Sequence, residues 1–115
     1  MIPYKKLVGE NAEKEFAAFY NAEIQKSKDE IFNDSYEIRF YDEMRTFLTS
    51  EGTNMDEMCY RSIAEDGEAA IGLMYHYYLK DEYASINTWE DIVDMVNAYC
   101  KKYHQNIMNG GSELE

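Results

Sequence analysis

The chain has one proline, two cysteines and two histidines in 115 residues, and only eleven basic residues against twenty-three acids. Each scarcity closes off a class of protein. Cys59 and Cys100 stand 41 positions apart among apolar neighbours. They form no disulfide framework of the kind that staples small secreted domains, so a buried, reduced pair is expected. A structural zinc site would need His76, His104, Cys59 and Cys100 together, and no two of them have finger or ribbon spacing. Cys100 and His104 lie four apart on one helical face. Nothing near them marks the orienting group or oxyanion donors that a cysteine nucleophile requires. There is no glycine-rich phosphate loop, G-x-S-x-G, H-E-x-x-H or EF-hand pattern, and neither cofactor nor metal is expected. Apolar runs are a few residues long, far short of the roughly 20 that cross a bilayer. With no secretory segment either, the expectation is a cytoplasmic protein without membrane association. Cations are few and sit near the ends, at Lys5, Lys6, Lys26, Lys28, Lys101 and Lys102, without arginine or aromatic interleaving, which argues against direct nucleic-acid binding.

What remains is apolar and aromatic enough to fold: 45% of residues are hydrophobic and 15% aromatic, in a length that suits one domain. Asn11 can cap a helix to about Lys26, with Ala12, Phe16, Phe19 or Tyr20, and Ile24 on one face. Ser27 and Glu30 match a capping box, and the helix they open could run through Ile31, Ile38, Tyr41, Met44 and Leu48 to stop before Gly52. The alternation in YEIRFY also allows a strand near 36–41, which would make the domain α+β. Asn54 and Glu57 start a short helix with Met55, Met58, Cys59 and Ile63 inward, ending by Gly67. Residues Glu68 to Lys80 follow, with Ala70, Ile71, Met74, Tyr75 and Tyr78 on the apolar stripe and Tyr77 outward or at its border. The last helix opens with Thr88 and Asp91, or Asn87 and Glu90, and places Trp89, Ile92, Val93, Val96, Tyr99, Cys100 and Tyr103 inward. The pattern predicts an all-α, single-domain bundle of about five helices over residues 1–108, with a flexible polar tail at 109–115.

The net charge of −12 is concentrated in residues 29–96, where seventeen acids face Arg39, Arg45, Arg61 and Lys80. Paired acids recur at Asp42-Glu43, Asp56-Glu57, Glu65-Asp66, Asp81-Glu82 and Glu90-Asp91. General acid–base catalysis needs two carboxylates in different environments, and adjacent acids on a solvated face do not supply that difference, so no enzyme is expected. An acidic surface does suit a basic protein groove built for phosphates. The candidate partner-binding residues are Asp42, Glu43, Glu51, Asp56, Glu57, Glu65, Asp66, Glu68, Asp81 and Glu82, with Tyr77 beside Tyr41 and Tyr60 as rigid contacts among them.

In SKDEIFNDSYEIRFYDEM, Ser27 is followed by Glu30-Ile31, then by the step Ser35-Tyr36-Glu37 and the acid pair Asp42-Glu43. This stretch resembles a segment of small acidic proteins of unknown function from mobile elements of gut Firmicutes. The resemblance covers only this stretch and carries no catalytic or binding residue onto the chain. It implies a phage or conjugative context, in which small acidic proteins inhibit host defence systems that bind nucleic acid. The function expected is therefore a non-enzymatic acidic interaction module, an inhibitor or nucleic-acid mimic whose partner is a basic, nucleic-acid-binding protein. The alternative is a structural or regulatory module that self-associates, as a homodimer, through exposed tyrosine and methionine.

Overall fold

A computed structural model describes residues 3–80 and 88–109. Within them the structure is all-α, and five of its seven helices have seven residues or more. The first, α1 (Tyr4–Glu23), starts directly after Pro3, whose carbonyl accepts from Leu7 N at 3.0 Å. The fixed φ of proline suits a helix start. Asn11 is thus an interior residue and not a cap. The helix runs through Gly9, against which Leu48 and Thr49 pack closely: a Cβ there would meet the Leu48 carbonyl at 3.5 Å.

The Ser27 capping box forms as the sequence predicts, with both reciprocal hydrogen bonds. The helix it opens is short. After α2 (Lys28–Asn33) the backbone turns at Asp34 and resumes as α3 (Ser35–Thr49). Asn33 and Asp34 are poor helix formers. The Asp34 carboxylate also reaches back to Lys26 Nζ at 2.7 Å, and the same ammonium lies 2.6 Å from Glu23. Along α3 the buried residues are Phe40, Tyr41, Met44, Phe47 and Leu48. Adjacent Phe40 and Tyr41 both face the core, which a strand forbids and a helix allows. No strand occurs among the described residues.

Next comes α4 (Glu57–Glu65), whose N-cap position is Asp56 rather than Asn54, without a side-chain capping hydrogen bond, and which is ended by Gly67 at φ 60°. Only glycine takes that left-handed geometry without strain. A single 3-10 turn, Gly67–Ala69, leads into α5 (Ala70–Lys80). Thr88 and Asp91 close a second reciprocal capping box on α6 (Trp89–Tyr103), and His104 joins it to the one-turn α7 (Gln105–Met108). The predicted alternative start at Asn87 lies outside the described residues, as does nearly all of the predicted tail.

The bundle forms because α1 lies against both α3 and α4, while α5 and α6 close the other side. Phe47, Met44, Ile63, Ile71, Met74 and Met95 are fully buried at its centre, with Cys59 and Cys100 among them. Burying side chains of this size is worth about 1.5–3 kcal/mol each. Several expected inward residues lie at the edge instead: Ile24, Met58, Trp89 and Tyr103 are exposed. Helical spacing fixes a stripe but not how far along the stripe the neighbouring helices reach.

A buried polar tie across the bundle comes from Glu15 of α1. It is 8% exposed, and its two carboxylate oxygens accept from the backbone N–H groups of Ile71 at 2.7 Å and Gly72 at 2.8 Å. Those amides belong to the first turn of α5, where helix N–H groups have no partner within the helix and where negative charge is favoured. Burial raises the Glu15 pKa above its ordinary value, and the two amide hydrogen bonds oppose that shift only in part. Gly72 makes room there: a Cβ would come within 2.8 Å of the Tyr41 hydroxyl, which would have to shift.

Candidate functional site

Asp66 joins the acidic middle of the sequence to its aromatic cluster. As the residue that ends α4 it projects toward α6, where Tyr99 Oη donates to its Oδ2 at 2.6 Å. His104 Nε2 lies 3.1 Å from both carboxylate oxygens. Burial and the neighbouring Asp66 together raise the Tyr99 pKa far above the ordinary phenol range, so this hydroxyl is a neutral donor at any physiological pH. Both oxygens of Asp66 are thus engaged by residues 33 and 38 positions away, and the three side chains pin the α6–α7 junction to the end of α4.

Around this triad lies a cleft of about 320 Å³ lined by Asp66, Leu73, His76, Tyr77, Lys80, Tyr99, Tyr103 and His104. Both histidines of the chain border it. The ring of Tyr77 meets Tyr99 and Tyr103 edge-on, with centroids 5.8 and 5.9 Å away, and the Lys102 ammonium sits 5.5 Å from the Tyr103 ring centre. Such T-shaped pairs add to burial. Tyr77 is only 6% exposed, so the expectation that it lies outward or at the border of the stripe is corrected: Tyr99 and Tyr103 of α6 pack against it. Tyr41 and Tyr60 are likewise buried, Tyr41 stacked on Phe19 and Tyr60 donating to the Thr53 carbonyl at 3.1 Å. None of the three tyrosines expected as surface contacts is on the surface.

The acids fall in separate places. Glu51 and Glu57 line a groove of about 690 Å³ with Glu10 and Glu13 of α1, into which Lys5 and Lys6 also project. Asp56 is exposed at the start of α4, and Glu65 and Glu68 are exposed around its end, Glu65 beside Lys102 and His104. Asp42 and Glu43 stand apart, at a groove of about 240 Å³ beside Trp89. Each is matched by an arginine of its own helix, Asp42 by Arg45 at 3.1 Å and Glu43 by Arg39 at 3.3 Å. Asp81 and Glu82 lie outside the described residues. Glu51 and Glu57, Asp42 and Glu43, Glu65, and Asp66 therefore line four separate grooves. The acids gathered around α4 carry no ion pair among the described residues, apart from Asp66.

Spacing in the sequence gives no sign of Glu15 or of the Asp66–Tyr99–His104 contact, because both join distant segments. Thr53 is a third such residue: buried, it accepts from Trp89 Nε1 at 3.1 Å, while the indole packs on Phe47 and stays 44% exposed. No helix among the described residues is long and apolar enough to cross a membrane. No protein-family model, curated protein or solved structure matches the chain.

Proposed function

We propose that the chain is a non-enzymatic acidic interaction module that binds a basic protein surface with the side of the bundle built on α4. The observation that carries this reading is the state of five carboxylates. Glu51, Asp56, Glu57, Glu65 and Glu68 are exposed and have no ion pair among the described residues, whereas Asp42 and Glu43 are neutralised locally. Acids at the two ends of α4 are separated by a helix of nine residues, about 13 Å at 1.5 Å per residue. That separation suits contact with several cations of one partner. A nucleic-acid-binding protein supplies such a surface, and the resemblance of Ser27–Met44 to mobile-element proteins supports an inhibitor or nucleic-acid mimic. To test it, the immobilised chain is exposed to the heparin-retained fraction of a bacterial lysate and then challenged with duplex DNA. A mimic's partner is held at low salt and released by DNA. A partner that ignores DNA would refute mimicry.

A second reading, self-association, is supported by the α2–α3 corner, where Phe32 and Tyr36 are 78% and 83% exposed. It predicts a dimer in sedimentation equilibrium that F32S/Y36S converts to monomer. Tyr77, being buried, plays no part in it.

A further inference from the structure

Neither the acidic surface nor the cleft involves the two thiols, yet they meet. Cys59 of α4 and Cys100 of α6 are fully buried, and their Sγ atoms are 3.5 Å apart. The Sδ of Met55 lies 3.8 Å from Cys59, so three sulfurs share one pocket of the core. We propose that Cys59 and Cys100 are a site of reversible oxidation, which takes a peroxide or a small-molecule disulfide as oxidant and closes to an intramolecular disulfide between α4 and α6.

The distance favours this chemistry. A disulfide has an S–S length of about 2.05 Å, so the sulfurs must approach by roughly 1.5 Å, within the reach of side-chain rotation and a slight helix shift. With hydrogen peroxide, one thiolate attacks an oxygen, the O–O bond breaks, and hydroxide leaves to become water on protonation. The resulting sulfenic acid is attacked by the second thiol, the S–O bond breaks and a second water leaves. Two thiols are oxidised and one peroxide is reduced to two waters. With oxidised glutathione the same two electrons reduce it to two thiols. Both thiols are free, and the hydrogen bond to Cys59 together with burial raises the Cys100 pKa well above that of a free thiol and leaves little thiolate to react. Oxidation is therefore slow and gated by transient opening of the core.

Closing the bond would tie the helix that carries Glu57 and Glu65 to the helix whose Tyr99, next to Cys100, holds Asp66. It would also constrain a long loop of the unfolded chain, which stabilises the folded state. The test uses the full-length chain under native conditions in a glutathione redox buffer. Mass spectrometry should find a monomer lighter by two hydrogens, with the peptides containing Cys59 and Cys100 cross-linked; the chain has no other cysteine. The melting temperature should rise by about 10 °C, and the equilibrium constant against glutathione should be more than tenfold larger in the folded protein than in urea. C59A and C100A should give no intramolecular bond, and the peptide map of the wild-type chain decides the matter if either fails to fold. An equal constant in folded and unfolded protein, a lowered melting temperature, or oxidation that yields only sulfinic acids or linked dimers would overturn the proposal.

Discussion

Replacing Glu15 by alanine removes the acceptor shared by the amides of Ile71 and Gly72. Ile71 N is buried and Gly72 N partly so, and both would be left without a partner at a helix N-terminus. An unsatisfied buried donor costs about 1–3 kcal/mol, and losing a carboxylate at a partly buried helix start costs up to about 2 kcal/mol more. Relief of the burial that raises the Glu15 pKa works the other way. The net expectation for Glu15→Ala is a loss of about 3 kcal/mol, or roughly 10 °C in melting temperature for a domain of this size. Urea denaturation followed by far-UV circular dichroism measures it. The pH dependence follows from the direction of the shift. A carboxyl whose pKa is raised on folding binds more protons in the folded state, so its contribution is full below the ordinary carboxylate pKa and is lost as pH rises through the folded value. The stability advantage of wild type over Glu15→Ala should therefore shrink from mildly acidic to neutral pH. A variant within about 0.5 kcal/mol of wild type at every pH would refute the bridge between α1 and α5, since surface substitutions fall in that range.

The two helical glycines should respond in opposite ways. Gly9→Ala places its Cβ in ordinary contact and should be neutral or stabilising by up to about 1 kcal/mol, whereas Gly72→Ala drives its Cβ into the Tyr41 hydroxyl and should cost about 1–3 kcal/mol by thermal melting. Tyr99→Phe should cost about 1–2 kcal/mol by removing a donor to Asp66. The raised phenol pKa adds a second signature: wild type should lose stability relative to Tyr99→Phe as pH rises above about 10, in alkaline urea titrations. Trp89 is half exposed, so Trp89→Ala should cost about 1–2 kcal/mol rather than the 3–5 kcal/mol of a fully buried ring, and acrylamide should quench its fluorescence readily.

The helices were legible wherever their signal was local. Ser27 with Glu30 and Thr88 with Asp91 announce their capping boxes within four residues, and both form. Gly67 ends α4 as its place after an apolar stripe suggests. Where local rules compete, the reading slipped. Gly9 looks like a breaker but serves as a close-packing position against α3, so α1 starts seven residues before Asn11. Asp34 breaks what periodicity alone would continue, because Lys26 holds its carboxylate. The site was less legible. The burial of Tyr77 depends on Tyr99 and Tyr103 of α6, and the engagement of Asp66 on residues more than thirty positions away. Spacing marks which residues share a helix face; it does not say which faces meet.

Asp66 therefore has no place in a charge-reversal experiment, because changing it would break the contact with Tyr99 and His104 as well as the surface charge. The direct test of the acidic module is the variant E51K/D56K/E57K/E65K/E68K, in which five reversals of two charges each bring the net charge from −12 to −2. Its fold is checked by melting, since Asp56 and Glu57 also complement the α4 dipole. Association with the captured basic partner is then measured over a range of salt concentrations. A folded variant should associate at least tenfold more slowly than wild type at low salt and with a much flatter salt dependence. A folded variant whose association rate and salt dependence match those of wild type would contradict the acidic-module proposal.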